Sequence, residues 1–133
     1  MNQKDTSKII KGCWQVSAGH SSQFNKEQAI QDLISFADED ITTFDCADIY
    51  TGVEELLGQF RVAYRTQRGE EALQGIRIHT KFVPDLAMLP HVNRAYVEGI
   101  IDRSLMRLGV QQLDLVQFHW WDFAVPGHQH AAH

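Results

Sequence analysis

The chain has 133 residues, 44% of them hydrophobic and 22% charged, with a formal net charge of -5. That is enough for one globular domain over residues 1–133 with a real core. The acidic balance and the absence of a basic stripe argue against a nucleic-acid binder. No apolar run approaches the roughly 20 residues needed to span a bilayer, and Met1 to Lys8 is polar, without a hydrophobic signal core. The two cysteines, Cys13 and Cys46, make no disulfide framework; they read as reduced core thiols of a cytoplasmic protein.

In chain order, Ile9 to Trp14 is a first short apolar run, followed by a polar loop from Ser17 to Gln23. Asn25 and Gln28 predict a capping box, and Ile30, Leu33, Ile34 and Ala37 then follow the spacing of one buried helical face. Ile41 to Phe44 is a β-branched run and predicts a second strand. Thr51 and Glu54 again suggest a capping box, with Val53, Leu56, Leu57 and Phe60 behind it. Arg65 to Gly75 is polar and unpatterned and reads as a long loop, and Ile76 to Phe82 as a third strand. After Pro84 and Pro90 a long helix turns Val97, Ile100, Ile101, Leu105 and Leu108 inward, with Gly109 as its C-cap. Leu113 to Phe118 is a fourth strand, and Ala124 to His133 has no periodicity. The βαβαβαβ order predicts a parallel sheet in strand order 1-2-3-4 with right-handed crossovers.

That topology collects four polar residues at one end of the sheet. Asp45 ends the second strand, Tyr50 lies in the loop after it, Lys81 is near the end of the third strand and His119 directly follows the fourth. Parallel sheets place their chemistry on this rim. A phenol becomes a usable proton donor to oxygen when a cation beside it favours the phenolate. An aspartate next to that cation holds it charged and in place, and a histidine orients a substrate oxygen. The set contains no strong nucleophile for acyl transfer. It suits protonation of an oxyanion as a hydride arrives at carbon. The expected geometry brings Lys81 to Asp45 and within, or near, hydrogen-bond reach of the Tyr50 hydroxyl.

The motifs in which these residues stand resemble the aldo-keto reductase family. Phe44-Asp45-Cys46-Ala47-Asp48-Ile49-Tyr50, with Asp and Tyr five apart, is similar to the family signature, and Glu54-Glu55-Leu56-Leu57-Gly58 to its continuation. Ile78-His79-Thr80-Lys81 resembles the lysine strand. Ser104 to Gly109 and Leu113 to His119 resemble the helix and strand that deliver the histidine, and Gly12-Cys13-Trp14 the first-strand loop beside the nicotinamide. The resemblance implies an NAD(P)H-dependent oxidoreductase that reduces aldehydes or ketones, usually with NADPH, on a (β/α)8 barrel. In it Asp45, Tyr50, Lys81 and His119 form the catalytic tetrad. Gly12, Cys13, Trp14 and Asp45 contact the cofactor, and Trp14, Trp120 and Trp121 wall the pocket of a small carbonyl substrate.

Such a barrel typically needs about 250 residues. The resemblance is therefore to the N-terminal half: about four parallel strands with helices on the outer face, a truncated domain. The family's second half supplies most of the cofactor contacts, so weak NADPH binding by the 133 residues alone is expected. No GxGxxG fingerprint replaces that half. Exposed half-barrel edges predict a homodimer or other self-association, and an inactive half-barrel acting only through association is the alternative function. A third reading, a hydrolase using His128, His130 and His133 as metal ligands, is disfavoured by a spacing that fits no standard zinc site.

Overall fold

A computed structural model of the chain describes residues 7–17, 23–120 and 124. Trp121, His128, His130 and His133 lie outside the described residues, as does most of the stretch read as irregular. Four strands form one parallel sheet in the order β1 (Ile10–Gly12), β2 (Thr43–Asp45), β3 (Arg77–Phe82) and β4 (Leu115–Phe118). Helices α1 (Lys26–Asp38), α2 (Val53–Arg68), α3 (Glu70–Leu73) and α4 (Arg94–Leu108) fill the crossovers. Among the described residues no helix is long and apolar enough to cross a membrane.

Register fixes the two faces of the sheet. Lys11, Phe44 and Ile78 are neighbours across β1, β2 and β3, as are Gly12, Asp45 and His79. The first set faces the helices: Phe44 meets Phe60 of α2 edge-on at 5.0 Å between centroids, and Phe60 meets Tyr64 at 5.7 Å. With Leu33, Ile34, Leu57, Ile76 and Leu108 these rings make the core. The second set lines the other face. There Ile10 is 45% and Leu115 42% exposed, because β1 and β4 are the two edges of the sheet.

Local chemistry explains the helix limits. The Asn25 carboxamide accepts from Gln28 N–H at 3.0 Å, as the spacing predicts. Asn93 caps α4 in the same way on Tyr96 N–H at 2.9 Å, a cap the sequence reading did not find. Gly109, at φ 64°, ends α4 in the left-handed conformation that a glycine adopts at little cost.

Three expectations are corrected. The capping box at Thr51 does not form: Gly52, at φ 77°, takes the cap position of α2, and Glu54 is buried. Residues 65–75 are largely helical, because α2 runs on to Arg68 and α3 follows after Gly69. The polar residues there hold ion pairs, Arg65 with Glu70 at 2.8 Å and Arg68 with Asp38 at 2.7 Å. On α4 only Ser104 and Leu108 are buried, and Val97, Ile100, Ile101 and Leu105 remain half-buried.

Helices α2 and α4 approach closely at Gly58. A Cβ placed there would stand 2.4 Å from the Arg107 carbonyl oxygen, a backbone atom. Alanine would gain roughly 0.5–1 kcal/mol of helix propensity, while overpacking costs about 1–3 kcal/mol. Gly58→Ala is therefore expected to be net destabilising, with a lower midpoint in urea unfolding. An unchanged or raised midpoint would show that α4 can move away freely.

Candidate active site

The strand ends converge because the sheet is parallel and the loop after β2 is clamped to β3. Cys13 N–H donates to the Asp45 carbonyl at 2.9 Å, Cys46 N–H to the His79 carbonyl at 2.8 Å and Asp48 N–H to the Lys81 carbonyl at 3.1 Å. His119 N–H donates to the Phe82 carbonyl at 3.0 Å, which carries the run one residue past β4. Asp45, Lys81 and His119 thus stand at the C-terminal ends of three adjacent strands.

Lys81 is the centre of the site. Its ammonium donates to Asp45 Oδ2 at 2.5 Å and to the Cys46 carbonyl at 2.9 Å. It also lies 5.8 Å from the centroid of the Tyr50 ring, within range of a cation–π interaction. The lysine thus meets the tyrosine over the ring face, and its hydrogen bonds go to Asp45 and Cys46. Both members of the ion pair are largely covered, with side-chain exposures of 18% for Lys81 and 32% for Asp45. Tyr50 is half-buried, and its N–H is held by the Ala47 carbonyl at 3.1 Å.

The loop carrying Tyr50 is locked from behind by a charged network. Asp48 is 5% exposed; its Oδ1 accepts from Val83 N–H at 3.0 Å, and Arg103 lies 3.5 Å from its Oδ2. Arg107 donates to the Asp48 carbonyl at 3.1 Å and to Glu54 Oε2 at 3.2 Å, and pairs with Glu55 at 3.0 Å. Glu54 is buried, and its other oxygen accepts from Thr80 at 2.7 Å. Thr80 precedes Lys81, so the network reaches both Tyr50's loop and Lys81's strand. Sequence reasoning missed Asp48, Arg103 and Arg107. Their one signal was two arginines four residues apart on a helix, with Asp48, Glu54 and Glu55 clustered earlier in the chain.

The remaining candidates divide. Gly12 pairs with Asp45 across the sheet, and among the described residues a Cβ built on it would meet nothing within 4 Å, so they leave open space there beside the ion pair. Trp14 is 52% exposed in the turn that follows. The Cys13 side chain is buried with its thiol on the Lys11 carbonyl, so it offers a ligand only backbone. Burial pushes the Cys13 and Cys46 thiols up to about 12, which keeps them as inert thiols. Trp120 stacks on Phe118 at 4.9 Å, and Phe118 on Phe82 at 5.1 Å, an aromatic row on the helix side of the sheet.

Residues 8–132 match the aldo/keto reductase family. An aldo-keto reductase of Bacillus subtilis, YhdN, is 27% identical over 127 residues, which are 92% of this chain and 37% of that protein. A thermostable aldo-keto reductase, Tm1743, solved with the inhibitor epalrestat, superposes with a TM-score of 0.66 at 22% identity over 95% of this chain and 45% of its own. A silkworm (Bombyx mori) aldo-keto reductase gives 0.64 at 23% identity, over 84% of this chain and 32% of its own. The chain therefore spans less than half the length of these relatives. The superpositions identify the sheet as the N-terminal half of a (β/α)8 barrel.

The buried Asp48 gives a pH test. Desolvation raises its pKa above the ordinary 3.8, against the hydrogen bond from Val83. A carboxyl that binds its proton more tightly in the folded chain loses stability on ionising, as pH rises above about 3.8. Asn keeps the acceptor for Val83 and cannot ionise. Asp48→Asn is thus expected to be more destabilising, relative to the parent, at pH 3 than at pH 7 in urea unfolding. The opposite trend would mean that the Arg103 pair outweighs burial.

Proposed function

The chain belongs to the aldo/keto reductase family, and from that premise we propose that it carries the proton-donating half of an NAD(P)H-dependent reductase of aldehydes and ketones. The observation that carries this reading is the Lys81 ammonium held between the Asp45 carboxylate and the Tyr50 ring at one rim. A carbonyl oxygen approaching that rim meets the Tyr50 hydroxyl as donor, backed by a cation that favours the phenolate left behind. Asp45 keeps Lys81 charged and directed. His119, at the end of the next strand, orients the carbonyl oxygen. Tyr50 gives its proton to the oxygen as the carbon is reduced, and the product is the alcohol.

A reduced nicotinamide, when bound, supplies the hydride to the carbonyl carbon. The residues present fit a flat ring: Gly12 leaves open space next to Asp45, and Trp14 presents a half-exposed indole beside it. Trp14 would also border a small carbonyl substrate. The fold half represented here supplies contacts at the nicotinamide end. NADPH, the coenzyme usual in the family, and the cytoplasm, where buried free thiols stay reduced, complete the reading.

A second reading rests on the edges. Ile10 and Leu115 expose apolar surface on the same face of β1 and β4, at the two unpaired margins of the sheet. Such edges recruit further strands. Here the chain would act by associating with a copy of itself or with a complementary half-barrel.

One experiment separates the two. The chain is titrated with NADPH by fluorescence and assayed by absorbance on a reactive aldehyde, alone and with the C-terminal half of a relative. Alone, it is expected to bind weakly and to turn over no faster than Tyr50→Phe. With the second half, turnover should rise and fall again by about 10²-fold or more in Tyr50→Phe, the usual scale for general acid catalysis. Restored turnover that ignores Tyr50→Phe would overturn the assignment of the proton donor. Association without any turnover would favour the second reading.

A further inference from the structure

The opposite end of the sheet holds a cavity of about 310 Å³ between α2, α3, the start of β3 and the loop leading into β4. Arg61 of α2 lines it, half-buried, and among the described residues its guanidinium has neither a hydrogen bond nor an ion pair. Arg77 lines it too and is 9% exposed. One amino group of Arg77 is fixed by the carbonyls of Gln74 and Ile76 at 2.7 and 2.8 Å, and its other N–H donors have no partner among the described residues. The two carboxylates at the cavity are engaged elsewhere. Glu70 pairs with Arg65 at 2.8 Å, and Asp114 Oδ2 accepts from Ile78 N–H at 2.9 Å. Glu70 is neutralised by Arg65, and Asp114 keeps its charge, so Arg61 and Arg77 leave the cavity one net positive charge. Leu73, Ile76 and Val110 give it an apolar floor.

We propose that this cavity is a binding site for a small organic carboxylate. Its head group would sit on the Arg61 and Arg77 guanidiniums and its short apolar body on Leu73, Ile76 and Val110. The chemistry is direct. The Arg61 fork is taken by no protein carboxylate among the described residues, and a carboxylate ligand matches such a fork with two parallel hydrogen bonds. Burial holds Arg61 below its ordinary pKa, with Asp114 and Glu70 opposing and Arg65 and Arg77 adding to the shift, so a bound anion would offset the repulsion from those two cations. The site stands at the N-terminal ends of the strands, away from the Lys81 rim, and does not depend on the proposed reductase reaction.

The test is a calorimetric and NMR titration of the 133-residue chain with butyrate, against inorganic phosphate and chloride at matched ionic strength. Saturable butyrate binding is expected, with shifts centred on Val110 and Gln112. Butyrate should bind more tightly than phosphate, which has no apolar body. Affinity should fall about tenfold in Arg61→Gln and less in Arg61→Lys, which keeps the charge and loses the fork. If Arg61→Gln fails to fold, Arg61→Lys carries the comparison. Absence of saturation at tens of millimolar, equal shifts with chloride, phosphate binding as tight as butyrate, or unchanged affinity in the folded Arg61 variants would each overturn the assignment.

Discussion

The arrangement depends on one ion pair at a buried carboxylate, Glu54 with the partly exposed Arg107. A carboxylate that is 1% exposed costs several kcal/mol to bury unless it is paired and hydrogen-bonded. Here both oxygens are engaged, one by Thr80 and one by Arg107. Satisfying Glu54 brings α4 down onto the start of α2, and that approach is possible because Gly58 has no side chain at the crossing. Arg107 also takes the Asp48 carbonyl, so the same guanidinium fixes the loop that ends in Tyr50. The tyrosine faces Lys81 because a helix remote from the rim holds its loop in place, while the β2–β3 pairing sets Lys81 against Asp45.

The architecture was legible in the sequence to a useful extent. Apolar periods separated by capping signals indicated four parallel strands, and strand ends were enough to bring Asp45, Lys81 and His119 to one rim. What was not legible was tertiary. Thr51 and Glu54 have the spacing of a capping box, yet a left-handed Gly52 caps the helix and leaves Glu54 for the interior. Residues 65–73 looked unpatterned because Leu73 is the one fully buried side chain in the segment, while Arg65, Arg68 and Glu70 form exposed ion pairs that leave no apolar stripe. Trp120 read as a pocket wall by its place after the strand. In the structure its ring stacks on Phe118. Arg103 and Arg107 read as an ordinary polar helix face, since nothing local shows that their partners lie on α2 and the loop before it.

The open edges link fold and function. In a closed barrel the face bearing Ile10, His79 and Leu115 would be interior; here part of it is exposed. The Lys81–Asp45 pair and the Tyr50 loop, by contrast, rest on β2, β3 and the clamp behind them. Both are organised within this chain, which covers less than half the length of its relatives.

The central claim is that the Glu54–Arg107 pair orders the Tyr50 loop. It is tested most directly by a double-mutant cycle of Glu54→Gln and Arg107→Met, read by urea unfolding and by amide exchange over residues 46–52. The account predicts a coupling of about 1–3 kcal/mol, as expected for residues sharing one buried network, together with faster exchange of the loop amides in each single variant. Additive losses with loop protection unchanged would contradict it, and would place the ordering of the Tyr50 loop in the backbone bonds to β3 alone.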